Sequence, residues 1–222
     1  MNQTCPYMNN PFCSSLSVFD RRALCPNCHL FKFKKNQDIE ELRKEMHREM
    51  NTLKPFEYIT LMIKGCLCTS QSAEDMPKQA FLLWEKGDIL HAENIMPEPD
   101  PLLEIWHYYI LTEGCFAVFE AKVIKDLFLH SSTFSSAVFT SVIKTRERQS
   151  KFLLGTQLQN ARQAIIYVLI YGNENHYPPL SHQQIAYLCG LDRTTVTKTM
   201  KKIMQEEDLD ISLHEYIKKI YN

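Results

Sequence analysis

Four of the eight cysteines fall within the first 28 residues, where their spacing allows metal or redox chemistry. Cys25 and Cys28 form a CxxC pair, and Cys5 and Cys13 lie upstream of it. Thiolates are ligands of zinc and of iron–sulfur clusters, and a CxxC pair can also cycle between dithiol and disulfide. The sequence therefore leaves metal binding, a thiol–disulfide switch and burial without a cofactor as alternatives for this cysteine group.

A second group of residues, near the C-terminus, has the caps and the spacing of a helix-turn-helix. Ser181 and Gln184 have the spacing of a capping box, which predicts that a helix begins there. Gly190 can adopt positive φ and end that helix, and Asp192 can cap a second helix. Two helices joined by so short a turn predict a DNA-binding helix-turn-helix.

The exposed side of the second helix is predicted to carry the DNA contacts. Four basic residues and no acidic residue lie between Arg193 and Lys202. Together with the positive end of the helix dipole, these cations suit a phosphate backbone. The predicted DNA-binding residues are Arg193, Thr194, Thr197, Lys198 and Lys201. A helical hairpin with a solvated basic face is the alternative interpretation.

Composition narrows the class of protein. The 222 residues are 45% hydrophobic and 23% charged, with a net charge of −1, as in an ordinary globular protein. No apolar run approaches the roughly 18 residues of a membrane helix, and the N-terminus lacks the pattern of a signal peptide. We therefore expect a cytoplasmic protein that does not bind membranes. The sequence has no glycine-rich nucleotide motif, nucleophile–base pair or paired carboxylates, so we do not expect an enzyme.

Three regions that differ in their pattern of apolar and turn residues must position these residues. Residues 1–120 alternate short apolar runs with turns and predict a β-rich domain, residues 121–158 predict a long helix, and residues 159–222 predict a helical DNA-binding domain. In the first region we predict helices at 18–24 and 38–51, and strands at 58–63, 80–84, 89–90, 106–111 and 115–119.

Two further patterns each allow two interpretations. Six residues of the long helix have the spacing of a packed seam: Phe134, Val138, Ser141, Thr145, Arg148 and Phe152. This seam predicts either a dimer contact or packing of the helix on its own domain. Residues 209–212 and 216–221 alternate enough to form a small wing, with a terminal helix as the alternative.

The order of these elements resembles the Crp/Fnr family of bacterial transcription regulators. Residues 160–167 are similar to the helix that leads into the family's DNA-binding domain, and residues 180–203 to its helix-turn-helix. Residues 86–90, Lys-Gly-Asp-Ile-Leu, resemble the turn and strand before its effector pocket. The resemblance implies an α+β fold with an N-terminal β-roll (cupin-like, of the cyclic-nucleotide-binding-domain type), a long dimerisation helix and a C-terminal winged helix-turn-helix.

The resemblance also implies a function and partners. The β-roll would sense a signal, the long helix would join two copies, and the recognition helix would enter the major groove of a palindromic double-stranded DNA site. By position, Arg193 would contact guanine O6 and N7. RNA polymerase is the further partner that the family implies. Two alternatives stay open: a constitutive DNA-binding dimer without a ligand, and a metal- or thiol-dependent enzyme.

The family offers two kinds of signal. Fnr-like members hold an iron–sulfur cluster through N-terminal cysteines and one central cysteine, which implies a response to oxygen or redox state. The implied metal ligands are Cys5, Cys13, Cys25 and Cys28, with Cys115 as an alternative fourth ligand. Zinc or no cofactor is the alternative. A cyclic nucleotide is not expected, because no arginine occurs between Arg48 and Arg146 to hold its phosphate.

Overall fold

The computed structural model of the chain describes residues 9–35, 37–50, 57–71, 82–95, 106–157, 159–205 and 211–221. The chain divides into two compact units, Met1–Leu67 with Trp84–Glu147 and Cys68–Leu83 with Arg148–Asn222. In chain order the elements are α1 (Pro11–Ser15), α2 (Val18–Leu24), a 3₁₀ turn (Cys25–Asn27), β1 (His29–Phe33), α3 (Ile39–Met50), β2 (Tyr58–Lys64), β3 (Leu67–Gln71), β4 (Leu82–Trp84), β5 (Ile89–Leu90), a second 3₁₀ turn (Ala92–Ile95), β6 (Trp106–Ile110), β7 (Gly114–Glu120), α4 (Ala121–His130), α5 (Ser132–Gln157), α6 (Ala161–Glu174), α7 (His182–Cys189), α8 (Arg193–Ile203) and α9 (Ile211–Tyr221).

The first unit contains a four-stranded antiparallel sheet with the strand order β1-β7-β2-β5. Its strands are rich in aromatic and β-branched residues, which favour a pleated, packed surface. Phe31 and Phe116 lie in a hydrophobic cluster on one face, and Ile59 and Phe119 lie in a cluster on the other. Because both faces are covered, β2 is buried continuously from Tyr58 to Ile63 rather than at alternate positions.

The local predictions for the first region are confirmed. Both predicted helices are present as α2 and α3, and the five predicted strands are present as β2, β4, β5, β6 and β7 with small shifts at their ends. Residue 51 of the second predicted helix lies outside the described residues, as do residues 80 and 81 of one predicted strand. Strand β1 was not predicted from the sequence, because its five residues, His-Leu-Phe-Lys-Phe, do not alternate regularly and the chain turns polar directly after them.

Helix α5 buries the stripe that the sequence singled out as a seam. Its apolar members and one threonine are at most 6% exposed: Phe134, Val138, Thr145 and Phe152. In the first unit the Ser141 hydroxyl donates to the Gly87 carbonyl (2.9 Å), and the Thr145 hydroxyl donates to the Asp88 carboxylate (2.6 Å). The interpretation of this stripe as a dimer contact is therefore wrong, and packing on the helix's own chain is confirmed.

The second unit packs four helices, α6 to α9, around one core. Its fully buried side chains come from all four helices: Ile165, Leu169, Ile185, Val196, Ile203 and Ile217. At the end of α5, the Phe152 ring meets the Tyr171 ring edge to face, with centroids 5.1 Å apart. Strand β3 pairs with β4 in this unit, and the Arg148 guanidinium donates to the Leu83 carbonyl (3.1 Å). Helix α8 is thus held on a packed helical platform.

The C-terminal wing predicted from residues 209–212 and 216–221 is wrong. Residues 209 and 210 lie outside the described residues, but Ile211–Tyr221 is the helix α9, which confirms the alternative. Leu213, Tyr216 and Ile217 are buried. Their spacing of three and four residues matches the helical period, which prevails over the short alternation that suggested strands.

Candidate nucleic-acid interface

The first helix of the helix-turn-helix begins and ends where its capping residues predict. The Gln184 backbone N–H donates to the Ser181 hydroxyl (3.2 Å), and the Ser181 backbone N–H donates to the Gln184 side-chain oxygen (2.9 Å), which completes the capping box. Gly190 has φ +64° and ψ +31°, the left-handed conformation that ends helix α7. The Leu191 N–H then donates back to the Ala186 carbonyl (2.9 Å), which makes the turn tight.

The second helix is capped by a carboxylate and anchored by three apolar side chains. Asp192 accepts a hydrogen bond from the Thr195 backbone N–H (2.8 Å), and hydrogen bonds from Thr195 hold the pKa of the Asp192 carboxyl below its ordinary value. Val196, Met200 and Ile203 are fully buried. They recur every three or four residues, so one side of α8 is fixed in the core while the other faces outward.

The outward side of α8 carries the predicted DNA contacts. Arg193, Thr194, Lys198 and Lys201 are all exposed. Their spacing places them on one face of the helix, opposite the buried side chains. The face therefore presents three cations, one of them at the positive end of the helix dipole, and no carboxylate between Arg193 and Ile203.

Thr197 is the member of the predicted set whose hydroxyl is bonded within the protein. It donates to the Arg193 carbonyl (2.9 Å), and its oxygen lies 3.0 Å from Nδ1 of His182. Because the Thr197 proton goes to the carbonyl, the ring nitrogen donates to the hydroxyl oxygen, so Nδ1 of His182 carries the hydrogen. Thr197 thus joins α8 to the first residue of α7.

His182 is a residue of this interface that the sequence does not point to. It is half-buried, and its pKa lies below the ordinary histidine value because burial, and then the nearby Arg193 charge, disfavour the imidazolium. A histidine after a capping serine carries no sequence signal of its own. Only the crossing of the two helices brings it to Thr197.

The cysteines predicted as metal ligands lie in different surroundings. Cys13 is buried, Cys25 is exposed, and Cys28 is half-buried, whereas Cys5 lies outside the described residues. Cys13 belongs to a hydrophobic cluster of the first unit, against which Cys28 and Cys115 also pack. Within the described parts of the chain, no three histidine, cysteine, aspartate or glutamate side chains form a group that could hold a metal ion. Because Cys5 lies outside the described residues, the four-cysteine ligand set stays a prediction.

Over the same described ranges, no helix is both long enough and apolar enough to cross a membrane. The longest helix, α5, carries charged residues through its second half.

Known proteins of solved structure share this architecture. No family model matches the sequence, and no curated protein matches it. Solved structures do match. A putative transcriptional regulator of the Crp/Fnr family from Eubacterium rectale superimposes with a TM-score of 0.64 at 11% identity, over 96% of this chain and 98% of that one. A transcriptional regulator of the CRP family from Thermus thermophilus gives a TM-score of 0.61 at 13% identity, over 86% of this chain and 97% of that one.

The c-di-GMP responsive global regulator CLP from Xanthomonas campestris also matches, with a TM-score of 0.59 at 12% identity, over 84% of this chain and 91% of that one. At such low identities the agreement concerns the fold, and it extends over nearly the whole length of each protein. The chain therefore has the fold of the Crp/Fnr transcription regulators, which confirms the predicted α+β class with an N-terminal β-roll and a C-terminal helix-turn-helix.

Proposed function

We propose that this protein is a sequence-specific DNA-binding transcription regulator of Crp/Fnr type, without catalytic activity. The observation that carries the proposal is the α7–α8 helix-turn-helix, in which one side of α8 is locked in the core while Arg193, Lys198 and Lys201 face outward. The fold that the chain shares with regulators of this family supports the same function.

In this proposal α8 lies in the major groove of double-stranded DNA. Arg193, in the first turn of α8, reaches base edges and pairs with O6 and N7 of a guanine through its two-pronged guanidinium. Lys198 and Lys201 contact phosphates, which adds affinity without sequence preference. Thr197 keeps α8 fixed against α7 through His182, so it orients the recognition helix rather than reading a base.

The protein binds as a homodimer in this proposal, and the face of α5 opposite the buried stripe forms the contact. Phe139, Val142 and Ile143 are 57%, 39% and 56% exposed. They recur at the helical period on a helix whose other side is already packed. A second copy is the occupant we assign, because a palindromic DNA site requires two recognition helices about one DNA turn apart, roughly 34 Å.

The oxygen or redox response and the iron–sulfur cluster are a separate, finer proposal. Their support is the placement of Cys13, Cys28 and Cys115 around one hydrophobic cluster. Anaerobic purification with iron, sulfide and zinc analysis tests it. A visible absorption band that bleaches in air, with stoichiometric iron and sulfide, supports the cluster, whereas a colourless, metal-free protein removes it and leaves the DNA-binding proposal untouched. We propose no cyclic nucleotide site, since the sequence lacks an arginine between Arg48 and Arg146.

The test of DNA binding is selection of bound duplexes from a random pool, followed by affinity measurement with Arg193→Ala. We expect selection to enrich a palindrome, and Arg193→Ala to lose about 1–3 kcal/mol of discrimination at one base pair of each half-site. Lys219→Ala, which removes an exposed cation of α9, is the control and should leave discrimination unchanged. Failure to enrich any sequence, or equal loss on selected and random DNA for Arg193→Ala, contradicts the proposal.

A further inference from the structure

Three strands of the first unit place two lysines on either side of one cysteine. Lys32 of β1 is directly opposite Cys115 of β7, and Lys64 of β2 is opposite the same cysteine from the other side. Residues directly opposite one another in a sheet point to the same face. Lys32, Cys115 and Lys64 therefore form a row, the lysine–cysteine row, across three neighbouring strands.

Lys64 joins this row only because β2 contains a bulge. Met62 is opposite Phe116 and Lys64 is opposite Cys115, so Ile63 is the extra residue. Without the bulge, Ile63 would oppose Cys115 and Lys64 would point to the other face of the sheet. The bulge thus redirects a cation into the row.

Two glycines make the bulge possible. Gly65 has φ +92°, and a Cβ there would lie 2.6 Å from the Glu113 carbonyl oxygen; a Cβ on Gly114 would lie 2.1 Å from the Lys64 carbonyl oxygen. Both distances are below any tolerable contact, so neither position accepts a side chain. The backbone next to Lys64 is therefore packed so closely that it requires glycine at both positions.

The lysine–cysteine row opens into a cavity of about 800 Å³ at the ends of these strands. Its lining contains four lysines and three glutamates in addition to Cys115. The glutamates are Glu41, Glu45 and Glu113. Glu113 lies 3.9 Å from the Lys64 ammonium, but both side chains are more than 70% exposed, so water and salt weaken this ion pair and an entering ligand can replace it.

Cys115 is half-buried between the two lysines, and both lysine side chains are exposed. Their ammonium groups can therefore reach an anion that enters the cavity from solvent. With neighbouring strands about 4.8 Å apart, the two lysine backbones are about 10 Å apart, a span that two flexible side chains close around a compact dianion.

We propose that the lysine–cysteine row is a binding site for a small anion with at least two negative groups, phosphates or carboxylates, held by Lys32 and Lys64 over Cys115. The glutamates on the remaining walls restrict the site to a compact anion beside the row, since a larger polyanion would meet them. The site lies in the first unit, and this inference does not depend on DNA binding.

Calorimetric titration of the full-length protein with pyrophosphate and, separately, with citrate tests the site, in buffers of equal ionic strength. We expect saturable binding of at least one anion with a dissociation constant below about 1 mM, typical of two charge-assisted contacts. Binding of pyrophosphate but not citrate would indicate that the site prefers phosphate groups, and binding of citrate but not pyrophosphate would indicate that it prefers carboxylates. The bound anion should also slow alkylation of Cys115 by iodoacetamide, measured by peptide mass spectrometry.

Charge-removing variants decide whether the row holds the anion. Lys32→Met and Lys64→Met should each weaken binding by about tenfold or more, as expected for loss of one charge-assisted hydrogen bond. Lys86→Met removes an exposed cation elsewhere in the unit and should have no effect. The proposal is overturned if neither anion binds at 10 mM, about ten times the expected constant, or if binding is equal in all three variants. Circular dichroism of each variant keeps loss of folding distinct from loss of the site.

Discussion

Replacing Ile143 by aspartate tests the dimer face of α5. Phe139, Val142 and Ile143 each keep about half of their surface exposed in the single chain. Burying a whole side chain of this kind contributes about 1.5–3 kcal/mol, so covering the exposed half contributes about 1 kcal/mol. Three such side chains on each of two copies give roughly 6 kcal/mol of apolar driving force for association.

Ile143→Asp removes about 2 kcal/mol of the apolar driving force for association, counted over both copies. It also adds two carboxylates that must lose water without a cation partner. The combined loss of about 3 kcal/mol or more raises the dimer dissociation constant by about 100-fold or more. The substitution site is 56% exposed in the single chain, so folding of the protomer should change little.

Sedimentation velocity over a concentration series measures the association, and Thr140→Asp is the matched control. Thr140 is exposed and does not belong to the proposed dimer face. Thr140→Asp therefore introduces the same charge on the same helix turn without changing that face. Ile143→Asp should also bind a two-half-site duplex as weakly as a single half-site. Equal dissociation constants for the two aspartate variants, or a wild-type chain that stays monomeric, would refute the assignment of this face.

Four further outcomes are expected. Lys201→Ala should weaken binding to all DNA sequences alike and reduce the slope of log affinity against log salt by about 1, as measured by anisotropy titrations. Gly155→Ala should destabilise the second unit in thermal unfolding, because its Cβ would come 2.5 Å from the Tyr167 ring; overpacking of about 1–3 kcal/mol exceeds the roughly 1 kcal/mol gained in helix propensity, and adding Tyr167→Leu should reverse the sign. Because the pKa of His182 lies below its ordinary value of 6.5, the unfolded chain binds this proton more readily, so stability falls as the pH drops below 6.5, and His182→Asn should remove that part of the pH dependence in urea unfolding. Cys189, whose pKa burial raises to about 12, should resist iodoacetamide at neutral pH by peptide mass spectrometry, while the exposed Cys25 is alkylated.

The helix-turn-helix could be predicted from the sequence because its signals are local. A capping serine, a left-handed glycine and a capping aspartate each act within four residues, and all three are present in the structure as expected. Strands β2, β5, β6 and β7 of the first unit were predictable for a similar reason, since each is a short apolar run next to turn residues, whereas β1 was not predicted.

The proposed dimer face could not be predicted from the sequence, because α5 carries apolar residues on two sides. The stripe of Phe134 and Val138 and the stripe of Phe139 and Ile143 both follow the helical period. Periodicity identifies a packed face but does not say whether the helix's own domain or another molecule covers it. The hydrogen bonds of Ser141 and Thr145 with the turn before β5 show that the chain itself covers the stripe of Phe134 and Val138. These hydrogen bonds join residues more than 50 positions apart in the sequence, so periodicity does not predict them.

The bulge beside Cys115 was beyond sequence reasoning for a different reason. A shift of one residue changes the face on which every following side chain lies, and nothing in the run from Tyr58 to Lys64 marks the shift. It is fixed by the close approach of Gly65 and Gly114, two glycines on different strands. Each looks like an ordinary turn residue until the strands are paired.

In the proposed dimer, the two sides of α5 connect the four-stranded sheet of the first unit to the partner. On one side, the Ser141 and Thr145 hydroxyls bind the Gly87 carbonyl and the Asp88 carboxylate, and Met62 on the central strand β2 donates to the Asp88 carbonyl (2.9 Å). On the other side lie the apolar residues assigned to the second copy. A change in the position of this turn must therefore either break buried hydrogen bonds or move α5, and moving α5 alters the dimer face. Because buried hydrogen bonds are costly to leave unmade, displacement of α5 is the favoured response, and it would change the proposed dimer face.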